Sequence, residues 1–348
     1  MHRRMLRFPL ILSSVALLSV ACSDDGGGSA GGATTTTQVG PVAAQPSAAC
    51  KAASAGAVAS GEEKVTTASG GAERWYYRYV PNGYSPTTPV PVVFDFHGYL
   101  EGADVHKQHS ALGPFGDEKG FATITPHGLG NPVRWDTGLD SADIRFVGEL
   151  LDEVENTVCV DENRIFATGL SNGAFMTSAI ACAYADRVAA VAPVAGISNA
   201  EGCKPARAVP VVAFHGTADS FIAFEGGLGE SARDLPSPDG SDRTLGESGV
   251  ADRIKGPSIP EVTAAWAKRN GCTSEPTESK IADDVTLIEF SCPRGAEAEL
   301  YRITDGGHTW PGSEFSKAIE SAVGHTTFSI DANEVMWEFF VDHPRRND

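Results

Sequence analysis

The stretch that most constrains the fold is Arg164-Ile-Phe-Ala-Thr-Gly-Leu-Ser-Asn-Gly-Ala174. Ile165, Phe166 and Ala167 form a continuously apolar run, as expected of a parallel strand covered on both faces. Gly169-Leu170-Ser171-Asn172-Gly173 breaks that run, and the small and apolar residues from Asn172 to Tyr184 then predict a helix. A G-x-S-x-G sequence between a strand and a helix places its serine on a sharp, strained turn. The residues flanking such a turn must lack bulky side chains, which Gly169 and Gly173 satisfy. The helix start behind Ser171 offers unpaired amides and positive potential to an anion.

The rest of the chain repeats the alternation. Strands are predicted at 73–80 (outer and antiparallel), 91–96, 121–125, 188–194, 209–214, 285–291 and 297–304. Helices are predicted at 105–119, 143–158, 260–270 and 332–341, and residues 226–258 read as a long polar surface excursion. Alternating strands and helices predict an α/β fold with a mainly parallel central sheet and helices on both faces. Its ligand site then lies at the carboxyl ends of the strands.

Three of those strand ends carry Ser171, Asp219 and His308, in the chain order Ser, Asp, His. A serine hydroxyl is a weak nucleophile at neutral pH, so His308 is expected to take its proton and pass it to a leaving alcohol. Asp219 is expected to fix the imidazole tautomer. His97-Gly98-Tyr99 follows the strand at 91–96, where a second oxyanion donor belongs, so the amides of Tyr99 and Asn172 are the expected pair. Trp135, on the loop 126–138, and Trp310, two residues after His308, are expected to border the substrate.

Three domains of organisation are expected: a signal peptide over 1–21, a lipobox cysteine with a flexible tether over 22–49, and one catalytic domain over 50–348. Arg3, Arg4 and Arg7 precede the apolar stretch 8–20, which is too short to span a bilayer and suits a secretory signal. Ser19-Val20-Ala21-Cys22 makes Cys22 the expected lipidation site, the only attachment to membrane foreseen. Cys50, Cys159, Cys182, Cys203, Cys272 and Cys292 suggest disulfides in an exported chain. Cys272 and Cys292 flank a helix end and a strand end and are expected to pair; the other four leave three pairings open. The formal charge of −18 over 348 residues argues against nucleic acid and anionic lipid as partners. The cysteine and histidine spacings fit no zinc site, so neither a metal nor another cofactor is expected. A monomer acting on an uncharged ester is.

G-L-S-N-G, H-G-T-A-D (215–219), G-G-H-T-W-P-G (306–312), W-A-K-R-N-G-C (266–272) and the F-H-G-Y turn (96–99) resemble an α/β-hydrolase esterase family. That family includes poly(3-hydroxybutyrate) depolymerases and feruloyl and acetylxylan esterases. The likeness runs from about Arg74 to His343 and departs at 226–258. It implies a cofactor-free serine esterase with its triad on Ser171, Asp219 and His308 and with Trp310 near the acyl group. Polyester or hydroxyalkanoate oligomers are the first expected substrate, and feruloyl or acetyl esters of plant polysaccharide the alternative. A non-catalytic binding lipoprotein on a hydrolase fold is the reading from another class.

Overall fold

The structure, a computed structural model, describes residues 41–51 and 58–346. The signal region 1–21 and Cys22 lie outside the described residues.

Ten strands form one sheet: β1 (Gly61–Ser69), β2 (Ala72–Val80), β3 (Val90–Phe96), β4 (Ala122–Pro126), β5 (Val160–Leu170), β6 (Ala190–Val194), β7 (Val211–Gly216), β8 (Thr273–Lys280), β9 (Val285–Ser291) and β10 (Ala298–Ile303). Their spatial order is β1-β2-β4-β3-β5-β6-β7-β10-β9-β8. The central run from β4 to β10 is parallel, and both edges are antiparallel. The strands of the middle read as unbroken apolar runs because both faces are covered. Alternation within them decides which face each side chain meets. Val92, Phe94 and Phe96 enter one core with Phe146, Leu150 and Met176, whereas Val93 and Phe166 enter the other with Phe339 and Phe340.

The first core is closed by the helices α3 (Ala142–Thr157) and α4 (Asn172–Ala183). Ser141 caps α3 by accepting from the Ile144 amide at 3.2 Å. The second core is closed by the helix Ala332–Asp342. The helix predicted at 105–119 is two, α1 (Gly102–Ser110) and α2 (Leu112–Lys119). They break at Ala111, whose φ is 52°. Pro114 lacks an amide hydrogen and its ring would clash with the carbonyl of Ser110 in a continuous helix, so it sits in the first turn of α2. β1 and β8 are additional strands that the alternation does not reveal. β1 exposes Glu62, Glu63 and Lys64 at the sheet edge, where charge discourages pairing with another chain.

All three disulfides join described residues: Cys50–Cys159, Cys182–Cys203 and Cys272–Cys292. The first closes a separation of 109 residues, which in the chain-entropy account contributes about 4–5 kcal/mol. It also corrects the expected tether. Residues 42–49 lie along β5: the Ser47 amide donates to the Val160 carbonyl at 3.0 Å, and Arg164 Nη2 donates to the Val42 carbonyl at 3.0 Å. Both contacts use main-chain atoms of the 42–49 segment, which leave no apolar period to read. No helix of the described residues is long and apolar enough to cross a membrane.

Candidate active site

β5 delivers Leu170 to the sheet edge, Ser171 turns at φ 58° and ψ −117°, and α4 starts at Asn172. That backbone conformation is strained for any side-chain-bearing residue and persists only where the surroundings enforce it. Here the Ser171 amide donates to the Val194 carbonyl at 2.9 Å, and the Phe175 amide to the Ser171 carbonyl at 3.1 Å. The tightness explains Gly173: a Cβ there would lie 1.9 Å from the Phe96 carbonyl oxygen.

Asp219 follows β7 and His308 follows β10, the two strands being direct parallel neighbours. His308 Nδ1–H donates to Asp219 Oδ2 at 2.8 Å. Asp219 Oδ1 accepts from the amides of Phe221 and Ile222 at 2.8 and 2.9 Å. Burial pushes the Asp219 carboxyl up, but the facing His308, its hydrogen bond, His215 and the Ile222 amide outweigh that and hold it below the usual carboxylate value. His215 is itself kept from protonating by burial, against the opposing pull of Asp219. Its Nε2–H donates to the Ile222 carbonyl at 3.0 Å. With Nδ1–H committed to Asp219, Nε2 is the His308 nitrogen left to move a proton. The loop carrying His308 is seated by Gly307, where a Cβ would stand 2.2 Å from the Val323 carbonyl oxygen.

Tyr99 follows β3, and Asn172 follows Ser171 as the first residue of α4. No hydrogen bond of the described residues occupies either amide. The peptide between Gly98 and Tyr99 is pinned through its carbonyl, which accepts from His97 Nδ1–H at 2.7 Å and from the Glu101 amide at 3.3 Å. Because a trans peptide is planar, this fixes the Tyr99 N–H in the opposite direction. His97 Nε2 accepts from the Gly128 amide at 2.9 Å. Burial pushes the pKa of His97 down to about 3, so this tautomer stays neutral.

Ser171 and His308 line one cavity of about 300 Å³. Tyr99, Val105, Phe221, Leu235, Phe315 and Val323 contribute walls. The Phe221 ring lies 5.0 Å from the His308 ring. Leu235 belongs to the excursion 226–258, which is therefore part of the site. Tyr99 Oη donates to the Pro236 carbonyl at 2.8 Å and ties the excursion to the oxyanion turn. Leu235, Phe315 and Val323 carry no periodic or motif signal that could have pointed to them.

The two tryptophans are corrections. Trp310 is 1 % exposed, belongs to the second core and donates from Nε1 to Asn333 Oδ1 at 3.0 Å. Trp135 is buried against Phe96, with Nε1 donating to the His97 carbonyl at 3.0 Å. Neither lines the cavity. Proximity in sequence to His308 or to the loop 126–138 says nothing of side-chain direction, and each indole turns inward to a buried acceptor. Trp310→Ala should accordingly lower stability by about 3–5 kcal/mol and affect short and bulky esters alike. Melting temperature and kcat/KM on two acyl lengths check this; an unshifted melting temperature with loss confined to bulky esters would contradict it.

The expectation of no metal meets one further finding. Glu101, His106 and His109 offer ligand atoms within 4.8 Å of one another, a grouping able to hold an ion.

No family model matches the sequence. "Feruloyl esterase B" of Piromyces equi is 28% identical over 238 residues, covering 66% of this chain and 41% of that protein. "Feruloyl esterase C" of Emericella nidulans is 30% identical over 158 residues, covering 43% of this chain and 56% of that protein. The chain thus spans only about half the length of these relatives. The structure of an acetyl xylan esterase from Aspergillus awamori superposes with a TM-score of 0.52 at 16% identity, over 75% of this chain and 98% of that one, a likeness of fold. With its Ser-Asp-His strand ends, the chain is similar in sequence to feruloyl and acetylxylan esterases and in fold to an α/β esterase.

Proposed function

We propose that this chain is an exported serine carboxylesterase that hydrolyses esters of aromatic, feruloyl-type acids with polysaccharide hydroxyls. The observation carrying this reading is the apolar, phenylalanine-walled cavity onto which Ser171 and His308 open. In the reaction, Ser171 Oγ attacks the ester carbonyl carbon while His308 Nε2 accepts the serine proton. The carbonyl oxygen gathers negative charge and is met by the amides of Tyr99 and Asn172. As the tetrahedral intermediate collapses, the C–O bond to the alcohol breaks and His308 returns the proton to the leaving oxygen. Water then repeats the attack on the acyl-serine, with His308 as base, and releases the acid and Ser171. Asp219 stabilises the imidazolium in both halves.

The feruloyl-type reading is preferred to the hydroxybutyrate polyester first expected because the curated relatives are feruloyl and acetylxylan esterases. A cavity walled by Phe221 and Phe315 also suits a flat aromatic acid better than an acetyl group. Export fits the three disulfides, which persist in oxidising compartments. A lipid anchor at Cys22 remains part of the proposal on its sequence motif.

A panel of methyl ferulate, acetylated xylan and hydroxybutyrate oligomers tests the substrate class. The highest kcat/KM is expected on methyl ferulate; a preference of tenfold or more for either other substrate would sink it. Leu235→Ala narrows the test to the cavity wall. It should lower kcat/KM for methyl ferulate by roughly tenfold or more and that for a methyl acetate control much less. Equal losses on both would take Leu235 out of acyl recognition.

A further inference from the structure

We propose that Glu101 is a positioning residue for ester hydrolysis, its buried carboxylate bracing the oxyanion turn against the loop that carries the catalytic histidine. This inference rests on the triad and oxyanion reading above.

Glu101 begins the turn into α1, and its side chain is 10% exposed. Its Oε2 accepts from the Gly98 amide at 2.7 Å and from His106 Nδ1 at 3.0 Å, and its Oε1 from His109 Nδ1 at 2.7 Å. From His109 the chain of contacts continues to the other side of the site. His109 Nε2 lies 2.6 Å from Ser316 Oγ, and Ser316 Oγ accepts from the Trp310 amide at 3.0 Å. Trp310 is two residues beyond His308. One arrangement of protons satisfies every atom: Trp310 N–H to Ser316 Oγ, Ser316 O–H to His109 Nε2, His109 Nδ1–H to Glu101, and Gly98 N–H to Glu101. The turn in which Gly98 precedes Tyr99 and the loop that carries His308 are thereby joined through buried side chains. Glu101 and His109 also line the reaction cavity. A Cβ built on Gly98 would be 3.2 Å from Glu101 Oε2 and 3.6 Å from Ser171 Cβ, which places the brace beside the nucleophile.

The carboxylate is held ionised. Burial pushes Glu101 up, but the His106 charge and the hydrogen bonds from His106 and His109 bring it well below the usual value. His106 sits between two carboxylates, with Nε2 2.6 Å from Asp95 Oδ1. Burial alone would lower its pKa; Asp95 and Glu101 overcome that and raise it to about 10. Both His106 nitrogens are engaged with carboxylate oxygens, Nδ1 with Glu101 Oε2 and Nε2 with Asp95 Oδ1, so hydrogen bonds join the cluster. Such a buried charged network is costly to place, and its contribution lies in fixing geometry.

Glu101→Gln tests the brace, because glutamine keeps the volume but cannot accept from Gly98, His106 and His109 together. The expected result is a fall in kcat of roughly 10²-fold, the scale of one misplaced oxyanion donor, with KM within about threefold of wild type. A trifluoromethyl ketone, whose adduct carries an oxyanion, should weaken by the same factor as kcat/KM. A purely structural role would lower the melting temperature without this split. If the folded variant keeps kcat within threefold, the proposal is overturned. Should Glu101→Gln fail to fold, Ser316→Ala decides, since it breaks only the link from His109 to Trp310. It is expected to lower kcat about tenfold or more with KM held, and an unchanged kcat refutes the brace. A stoichiometric divalent ion in the purified protein, with activity lost to EDTA and restored by that ion, would also overturn it. Failure of the triad reading is separable, because Ser171→Ala would then retain hydrolysis whatever Glu101→Gln does.

Discussion

Ser171→Ala should fold normally and hydrolyse methyl ferulate about 10⁶-fold more slowly than wild type, the scale of loss when a triad serine is removed. The size follows from the elbow. Ser171 alone stands at the strained turn between β5 and α4, on the cavity it shares with His308. Among the described residues lining that cavity, the other hydroxyl is that of Tyr99, which is engaged in donating to the Pro236 carbonyl at 2.8 Å. Alanine keeps the backbone, and the amides of Tyr99 and Asn172 remain to polarise a bound carbonyl. Residual catalysis of about 10³–10⁴ over water is therefore compatible with the account. A folded variant retaining a tenth of wild-type kcat would show that another group is the nucleophile.

Asp219→Asn should lower kcat by about 10⁴-fold at neutral pH with little change in KM. The carboxylate accepts Nδ1–H of His308 at 2.8 Å and so leaves Nε2 free for the serine proton. An amide in its place can offer N–H to the ring, favour the opposite tautomer and put the proton where the base should be. It also removes the negative charge that stabilises the imidazolium. The same substitution should flatten the acid limb of stability. The folded pKa of Asp219 is depressed, so the unfolded chain binds the proton more readily. Its contribution is present above the ordinary carboxylate value, about 3.9, and is lost as pH falls through the lower folded value. Wild type should lose stability faster than Asp219→Asn over that window in urea titrations. Parallel pH curves would mean that the His308–Asp219 pairing does not favour the native state.

How much of this was legible in the sequence depends on the kind of feature. Ser171, Asp219 and His308 could be read because each stands directly after an apolar strand, and parallel strands deliver their carboxyl ends to one edge. The amides of Tyr99 and Asn172, the proposed oxyanion donors, rest on the same logic, since main-chain donors depend on where a turn falls and not on side-chain direction. Trp310 and Trp135 show where it stops. Both neighbour the site in sequence, but each indole finds its acceptor inside, Asn333 for one and the His97 carbonyl for the other. Leu235, Phe315 and Val323 meet Ser171 only after the chain has folded, and nothing in their local pattern distinguishes them from other apolar loop residues. Glu101, His106 and His109 were readable in principle. His106 and His109, three residues apart, share one side of α1, and Glu101 meets them from the N-cap before it, a position left outside the helix expected at 105–119. β1 was missed for the opposite reason, its polar edge carrying no apolar run.

The central claim is that Ser171 performs the hydrolysis in the phenylalanine-walled cavity. The most direct measurement titrates the enzyme with a fluorophosphonate, mapping the modified peptide while following methyl ferulate hydrolysis in the same samples. Activity is predicted to fall in proportion to covalent occupancy of Ser171 and to vanish at one label per chain. Hydrolysis that continues with Ser171 fully labelled, or a label that abolishes activity from another residue, would contradict the account.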